Sequence, residues 1–422
     1  MSGTFRRDGS SRFAEDYRWG NFWSIGGRWN IDEEAFMDNA TFINQLKLRA
    51  SIGTTGNQRI VNGTIFAGVI PPAFVDSYSL TNNTYNGGQG YGFNRGFPEA
   101  KWEVTEQYNI GLDFDMFKRL RGTIDFYNKK TIDLFIDIPT SGAFGSPTLR
   151  GNSDADITNS GLELNLAYDI IKGEDVLLTL RANGSYNKNT VSGIVANNGQ
   201  IINTDAAGYT FITQNGGSIF EPFVYKYLGV NPVNGNLLFE DATGNPTETP
   251  VSFDRKATGK NFVPVYQGGF GFDFQYKGFF AASTFTYALD VYRFDADEEN
   301  LFDIANIGQF RNSRQMLNAW TSTNTNTDVP SLDATNLPST GDSDRFLRDA
   351  SYLRLRNAQL GYRVPAKLLR GTFINSLAFT LQGENLFTVT KWKGFDAESN
   401  RTSDFYQYPT PKIYTFGVDI KF

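Results

Sequence analysis

The sequence predicts an all-β protein in which antiparallel strands form the wall of a transmembrane β-barrel. Apolar and polar residues alternate with a period of two in many segments of the 422-residue chain, so each segment forms a strand with one apolar and one polar face. The segments are about ten residues long, which is the length of a tilted strand that crosses a bilayer. The connections between them are either short or long, an asymmetry typical of bacterial outer-membrane barrels.

The alternating segments follow one another along the whole chain. In the last of them, Tyr414, Phe416, Val418 and Ile420 alternate with small or polar residues up to the terminal Phe422. We expect roughly twelve strands of this kind. In chain order they lie near residues 4–13 (a partial strand), 17–29, 46–55, 108–114, 122–128, 162–168, 176–186, 270–276, 279–287, 357–364, 377–382 and 414–422.

The connections fall into two length classes. Short ones are expected at residues 117–121, 169–175 and 277–278, and Lys277-Gly278 has the composition of a two-residue hairpin turn. Long ones, at residues 57–101, 187–264 and 290–349, are rich in Asn, Thr, Gly and Pro. Helical segments are expected only at residues 32–45 and near residues 309–320.

The composition limits the functions that the chain can carry. Its 37 Phe, 20 Tyr and 42 Gly residues favour strands and turns over helices. The chain contains no Cys and no His, which excludes disulfides, thiolate metal sites and the Ser-His-Asp and Cys-His catalytic arrangements. We therefore expect a protein that is not an enzyme, with no catalytic residues, no metal site and no cofactor.

Charge and hydropathy exclude further classes. The net charge of -6 and the scattered Lys and Arg residues argue against a nucleic-acid partner. No run of about 18 apolar residues is present, so a transmembrane helix is excluded. Residues 1–8 also lack the apolar core of a signal peptide. A barrel strand remains compatible with this low hydropathy, because every second residue faces a polar interior.

A soluble β-sandwich is the principal structural alternative, since its strands also alternate. Sandwich strands are usually shorter, at about five or six residues, and their loops do not sort by length. Several aromatic residues lie near strand ends, where a membrane barrel carries its interfacial girdles. They are Trp19, Trp23, Trp29, Trp102, Tyr108, Tyr127, Tyr287 and Tyr414.

Several segments, in order along nearly the whole chain, resemble the SusC/RagA family of TonB-dependent outer-membrane transporters. They are RRDGSSRF at 6–13, YRWG at 17–20, LKLRASIGTTGN at 46–57, WEVTEQYNIGLD at 102–113, NSGLEL at 159–164, YLRLRN at 352–357, GENLF at 383–387 and PTPK at 409–412. The resemblance implies that residues 1–422 are a single partial domain, the C-terminal part of a barrel of about 22 strands. The family's signal peptide, small N-terminal domain and plug have no counterpart in these residues.

The resemblance also implies a function, a location and partners. It implies energised uptake of oligosaccharides or peptides across the outer membrane of a Gram-negative bacterium. The expected partners are a SusD-like surface lipoprotein that covers the barrel, the TonB complex acting through the missing N-terminal region, and outer-membrane lipid. The alternatives are a twelve-stranded barrel that closes on itself, and a non-transporting outer-membrane or secreted β-protein such as an adhesin or binding module.

The clearest candidate functional residues lie in the last strand. Tyr414, Phe416, Val418, Ile420 and Phe422 share one face and end on an aromatic residue, which resembles the signal read by the barrel-assembly machinery. Its role would be biogenesis and not transport. An ordinary amphipathic last strand is the alternative.

The long connections contain two further candidate features. An acidic cluster, Asp295, Asp297, Glu298, Glu299 and Asp303, could ligate calcium, but its spacing does not fit an EF-hand, and a solvated loop is the expected arrangement. Loop aromatic residues could stack on sugars, contact peptides or pack against a lid: Tyr78, Tyr85, Tyr91, Phe93, Tyr209, Phe211, Phe220 and Phe223. The pattern does not distinguish between these roles, so the substrate-binding residues remain unknown.

Overall fold

The computed structural model describes residues 1–59, 74–85, 88–139, 148–195, 198–204, 208–337, 341–399, 403–404 and 408–422. A continuous antiparallel sheet of twelve strands dominates it, and each strand pairs with the next one of the sheet along the chain. The strands are β1 (Ser2–Gly9), β2 (Trp19–Asn30), β3 (Ile43–Asn57), β4 (Glu103–Met116), β5 (Leu120–Ile132), β6 (Asp156–Lys172), β7 (Val176–Ser192), β8 (Tyr266–Tyr276), β9 (Phe279–Leu289), β10 (Tyr352–Arg363), β11 (Ser376–Thr390) and β12 (Ile413–Lys421).

All twelve predicted strands are therefore present, most of them longer than predicted. A single sheet with strands of 8 to 17 residues is incompatible with the sandwich alternative. Within the described residues, β1 pairs only with β2, and β12 pairs only with β11. The sheet thus has free edges, and the alternative of a twelve-stranded closed barrel is not observed. No helix in the described part of the chain is long and apolar enough to span a membrane.

The two faces of the sheet differ in polarity. One face, here called the outer face, carries exposed apolar side chains in cross-strand rows. One such row consists of Ile110, Phe126, Leu162, Tyr186 and Tyr266, which are 36–53% exposed. The adjacent row on the opposite, inner face contains Arg49, Asp125 and Glu163. An apolar outer face and a polar inner face match the alternation of a membrane barrel.

The connections at the two ends of the sheet differ in length, as predicted. At one end, the short-turn end, Lys277 and Gly278 have φ angles of 45° and 100°, as a type I′ hairpin turn requires. The turns at 117–119 and 173–175 lie at the same end. The long connections all meet at the opposite end, here called the loop end.

Most of the long connections contain their own small sheets. Paired hairpins are formed by Ser77–Tyr85 with Gly88–Asn94, and by Leu134–Pro139 with Thr148–Ser153. The connection from β7 to β8 contains one sheet of Gln200–Thr204, Thr210–Gln214, Glu221–Val224 and Lys256–Ala257, and another of Tyr227–Val230, Leu237–Glu240 and Pro246–Thr247. A further sheet joins the last two loops through Tyr292–Asp295, Leu347–Asp349 and Ser403–Asp404.

Helices are few and short in the described chain. The α-helices are α1 (Ala296–Leu301) and α2 (Ala366–Leu369). The 3-10 turns are Glu15–Tyr17, Ile31–Glu33, Ala35–Met37, Ser252–Asp254, Ile304–Asn306, Arg314–Asn318 and Asp344–Phe346. The helix expected at 32–45 was wrong, because this segment forms only two 3-10 turns before β3 begins at Ile43. The helix expected near 309–320 is reduced to a 3-10 turn.

The apolar core lies where the loops pack on the loop end of the sheet. Phe13, Phe22, Ala100, Trp102 and Phe135 form one buried cluster. A second cluster, between the β7–β8 and β9–β10 connections, contains Tyr209, Phe211 and Phe294. Burial is therefore concentrated beneath the loops, while the outer face of the sheet stays exposed.

The girdle assignment was wrong for two aromatic residues. Trp102 is only 7% exposed, and its indole Nε1 donates to the Arg18 carbonyl at 3.0 Å. Tyr127 points to the inner face, where its hydroxyl donates to Asn187 at 2.8 Å. Trp19, Trp23, Tyr108 and Tyr414, by contrast, are 40–72% exposed, as interfacial residues would be.

Candidate functional site

The inner face of the sheet carries a network of paired charges. Arg49 on β3 donates to Asp113 on β4 at 2.9 Å and to Asp125 on β5 at 3.1 Å. Alternation along each strand places these side chains on the same face. The guanidinium thereby neutralises carboxylates on neighbouring strands and fixes them against the wall.

A second group of paired charges lies nearer the short-turn end. Asp169 on β6 accepts from Arg121 on β5 at 3.0 Å and from the Thr179 hydroxyl at 2.8 Å. Arg181 on β7 pairs with Asp273 on β8 at 2.5 Å. The middle and the short-turn end of the inner wall are thus rich in charges that are already paired with one another.

Toward the loop end the inner wall of β6 and β7 is rich in amides. Asn159 on β6 accepts at Oδ1 from the side-chain amides of Asn187 and Asn189 on β7, at 3.3 and 2.9 Å. The Asn187 Oδ1 accepts from the Tyr127 hydroxyl at 2.8 Å. The Asn189 Oδ1 accepts from the Ile219 backbone N–H at 3.0 Å. We call Asn159, Asn187 and Asn189 the amide cluster.

In the amide cluster all side-chain oxygens accept hydrogen bonds, but not all side-chain N–H groups donate one within the described residues. Each of its side-chain oxygens accepts a bond from within the protein, whereas the Asn159 amide nitrogen donates none within the described residues. An amide nitrogen carries two N–H groups, so Asn187 and Asn189 each retain one N–H after donating to Asn159. The cluster therefore presents free donors, which suit carbonyl or hydroxyl oxygens of a ligand.

The amide cluster lines a cavity of about 800 Å³ between the sheet and the loops. Thr105, Thr131 and Glu103 contribute polar groups from β4 and β5, and Ile219, Phe220 and Phe262 contribute apolar surface from the loop above. The Glu103 carboxylate is occupied, since it accepts from Asn57 at 2.6 Å and from the Phe135 N–H at 2.8 Å. A ligand would therefore meet amide and hydroxyl groups, apolar side chains, and the charged residues Lys188 and Glu221.

The loop above the cavity is fixed to the end of β7. The Val191 N–H donates to the Gly217 carbonyl at 2.9 Å, and the Gly216 N–H donates to the Val191 carbonyl at 2.8 Å. Phe220 has a φ of 55° and is 53% exposed. The turn that contains Phe220 accommodates its positive φ, and its exposed ring lines the cavity.

The residues of the candidate assembly signal lie at the free edge of the sheet. The side chains of Tyr414, Phe416, Val418, Ile420 and Phe422 are 44–75% exposed. Phe416 and Val418 pair with Leu381 and Phe379 of β11, on the outer face. They are remote from the cavity and belong to the apolar surface.

The expectation of a solvated acidic loop was wrong for Asp295, which is buried, whereas Asp303 is exposed as expected. Asp295 is 1% exposed, and its Oδ1 accepts from the Glu298 N–H at the start of α1 at 2.8 Å. Glu298 pairs with Arg348 at 2.8 Å. Burial raises the pKa of Asp295 to about 6. Within the described residues, no group of three or more potential ligands is placed to bind a metal ion.

The loop aromatic residues divide between core and surface. Tyr209 and Phe211 are buried, at 1% and 6% exposed, and they pack in the loop core. Phe220 alone of the described members lines the cavity with substantial exposure. The side chains of Tyr78, Tyr85, Tyr91 and Phe93 lie outside the described residues.

Sequence reasoning did not identify the amide cluster. Asparagine carries no charge and belongs to no short motif, so its abundance in this chain suggests only turns. The alternation of Asn187 and Asn189 within β7 was the available signal. It placed these side chains on the polar face but gave no indication that Asn159 lay opposite.

Comparison with known proteins gives consistent matches along the chain. Residues 2–386 match the family model described as TonB dependent receptor-like, beta-barrel. TonB-dependent receptor P39 of Formosa agariphila is 30% identical over 484 aligned positions, covering 100% of this chain and 44% of the relative. TonB-dependent receptor SusC of Bacteroides thetaiotaomicron is 28% identical, covering 99% of this chain and 42% of the relative.

Solved structures agree with these matches. The RagAB peptide transporter superposes with a TM-score of 0.83 at 28% identity, covering 99% of this chain and 45% of that chain. The RagAB peptide importer in its open-open state superposes with a TM-score of 0.84 at 27% identity. The chain thus spans less than half the length of the relatives it matches.

Proposed function

Since the chain belongs to the TonB-dependent receptor-like β-barrel family, we propose that it forms part of the wall of an outer-membrane importer of nutrients. The observation that carries the proposal is the cavity at the loop end, where free amide donors of the inner wall face apolar loop residues. A passage for polar nutrients needs such a polar wall behind a lipid-facing surface. Members of this family are receptors and transporters, so catalysis has no part in the proposal.

The substrate that we propose is an oligosaccharide or a peptide. Both present hydroxyl or carbonyl oxygens that the free N–H groups of the amide cluster can bind. A relative of similar fold is a peptide transporter by its description, which supports this choice of substrates. Lys129 lies opposite Asn159 on the adjacent strand and Lys188 lines the cavity, so the site also carries positive charge and is not restricted to neutral ligands.

The same family membership supports a proposal on partners and location. We propose that the barrel lies in the outer membrane of a Gram-negative bacterium, that a SusD-like lipoprotein covers the loop end, and that the TonB complex supplies energy. We also propose that residues 1–422 act as a single partial domain. The outer-face residues of β12 and the adjoining Phe422 would be read by the barrel-assembly machinery during insertion.

An uptake assay tests the transport proposal. Cells that lack the receptor gene are complemented with the complete receptor or with Asn159→Ala, and uptake of labelled oligosaccharides and peptides is measured at low concentration. Loss of hydrogen bonds worth about 0.5–1.5 kcal/mol should lower uptake about two- to tenfold. Asn128→Ala is the matched control, because Asn128 lies on the adjacent strand but on the outer face, opposite Tyr108.

The outcomes separate the alternatives. Uptake that depends on Asn159 and not on Asn128 supports transport through this cavity. If the complete receptor supports binding of cells to a surface or ligand but no uptake, an adhesin or binding module becomes the better account. Equal effects of both substitutions would argue against a ligand site at the amide cluster.

A further inference from the structure

The connection between β10 and β11, residues 364–375, carries an exposed apolar surface at the short-turn end. It contains α2 and the side chains of Leu368 and Phe373, which are 71% and 77% exposed. Internal hydrogen bonds order the turn, since the Leu368 N–H donates to the Pro365 carbonyl at 2.9 Å and the Thr372 hydroxyl donates to the Leu369 carbonyl at 2.8 Å. The exposure of these side chains is therefore a feature of an ordered turn.

The apolar surface of this turn is continuous with the outer face of the sheet. The ring of Phe373 stacks on that of Phe422, with centroids 5.6 Å apart and planes 12° from parallel. Phe422 directly follows β12 and lies two residues after the outer-face residue Ile420. The Asn375 N–H donates to the Lys421 carbonyl at 2.7 Å and joins the turn to the end of that strand.

Other aromatic residues mark the same level of the outer face. Phe279 and Tyr362 have ring centroids 4.5 Å apart, beside the turn of Lys277 and Gly278. Phe42 and Phe117 stack at 5.4 Å beside another short turn. Aromatic rows of this kind lie at the boundary between acyl chains and headgroups. Turn 364–375 therefore lies at headgroup depth.

The turn also carries unpaired positive charge. Lys367 and Arg370 are exposed, and neither makes an ion pair within the described part of the chain. Residues 364–375, VPAKLLRGTFIN, contain no Asp or Glu. An apolar surface flanked by free cations at headgroup depth is complementary to a lipid with an anionic headgroup.

We propose that Leu368, Phe373, Phe422, Lys367 and Arg370 form a binding site for an anionic phospholipid of the periplasmic leaflet. Lys367 and Arg370 bind the headgroup phosphate, while Leu368 and the Phe373–Phe422 stack contact the adjoining acyl chains. The site anchors the edge of the sheet at a defined depth. This inference rests on the proposed outer-membrane location, because the short turns of such barrels face the periplasm.

To test the site, the complete receptor is titrated with phosphatidylglycerol and, separately, with phosphatidylcholine. The amount of bound lipid is measured by native mass spectrometry. Each cation near an anionic headgroup contributes about fivefold in affinity. Lys367→Gln combined with Arg370→Gln should therefore weaken the tightest phosphatidylglycerol binding by about 25-fold and leave phosphatidylcholine binding unchanged. Leu368→Ser combined with Phe373→Ser should weaken both lipids.

The matched control removes the same charge from the loop end. Lys412→Gln combined with Arg311→Gln leaves turn 364–375 intact and should not alter either affinity. Unchanged phosphatidylglycerol affinity in the Lys367 and Arg370 variant overturns the proposal, and so does an equal loss in the control. A heat-dependent shift of gel mobility verifies that each variant is a folded barrel.

The same variants are assayed for nutrient uptake in cells. Loss of phosphatidylglycerol binding with retained uptake supports a lipid site that is independent of transport. If the unmodified receptor takes up no nutrient, the proposed function fails, while the lipid titration still decides whether the phospholipid site exists. The two failures are therefore distinguishable.

Discussion

For a single residue on a barrel strand, the face that its side chain occupies decides the effect of a substitution. Phe272 and Asp273 are neighbours on β8. Phe272 pairs with Leu180 on the outer face, whereas Asp273 pairs with Arg181 on the inner face. Adjacent residues of one strand thus meet lipid and a polar interior, respectively.

Phe272→Arg should destabilise the folded receptor by about 2–4 kcal/mol, because it places a charge near the bilayer midplane. Asp273→Asn should cost less than about 1 kcal/mol, since its partner Arg181 is 47% exposed and its ion pair is screened. Urea titration of the receptor in phospholipid vesicles measures both values. Similar losses at the two positions would contradict the assignment of the faces.

A buried carboxylate in the loops makes the stability of the folded loop fall as pH rises. Most carboxylates in folded proteins have the opposite effect, because their pKa values are lowered on folding. Burial raises the pKa of Asp295 to about 6, above the value of about 3.9 for an unfolded chain. The folded loop therefore binds the proton more tightly than the unfolded loop does. The stabilisation that protonated Asp295 gives the folded loop is fully present below the pKa of this residue in the unfolded chain. It is lost as pH rises through about 6.

We expect the loop that contains α1 to be about 1 kcal/mol more stable at pH 5 than at pH 7. Hydrogen exchange of residues 292–301, corrected for the intrinsic rate at each pH, measures this difference. Asp295→Asn should reduce the pH dependence, while Asp303→Asn, which alters an exposed cap of the next turn, should not. If Asp295→Asn leaves the change of loop stability with pH unaltered, that change arises from Glu299 and Asp344, whose pKa values burial also raises.

For whole elements, the last loop is held to the inner wall by a buried ion pair. Arg354 on β10 pairs with Asp396 of loop 391–412, and their side chains are only 5% and 3% exposed. Glu398 of the same loop accepts from Arg354 at 2.9 Å. Removal of one partner of a buried pair leaves an uncompensated charge and costs more than the pair contributed.

Asp396→Ala should therefore loosen loop 391–412 from the inner wall, at a local cost below the roughly 3–5 kcal/mol of a fully unpaired charge, because Glu398 still accepts from Arg354. Limited proteolysis of intact cells should then cleave this loop faster in the variant than in the unmodified receptor. Lys391→Ala is the control, because the Lys391–Asp349 pair joins the same regions but its lysine is 85% exposed, so its loss should cost less than about 1 kcal/mol. Equal protection in both variants would show that the ion pair does not hold the loop.

The elements also show which features a sequence can specify. Strands such as β8 and β12 were predictable because a period of two with aromatic residues has no helical equivalent. The segment 32–45 mixes acidic and apolar residues without a clear period, so its composition does not distinguish 3-10 turns from a helix. Loop strands such as Pro246–Thr247 are too short for any period to develop. The amide cluster depends on register between β6 and β7, which sets Asn159 opposite Asn189 and which a single strand does not encode.

For the whole molecule, the decisive property is the pair of unpaired sheet edges. Ser2–Gly9 and Ile413–Lys421 each present backbone N–H and C=O groups on one side without a partner strand within the described residues. Each such group costs several kcal/mol in hydrocarbon. A stable membrane protein must therefore pair these edges with each other or with further strands.

We expect that residues 1–422, refolded alone into short-chain phosphatidylcholine vesicles, will give no SDS-resistant band of altered mobility. The complete receptor should give one under the same conditions, because a closed barrel satisfies every edge. Semi-native gel electrophoresis with and without heating measures this directly. A resistant monomeric band from residues 1–422 alone would mean that β1 and β12 pair with each other, and that the twelve strands are a complete wall.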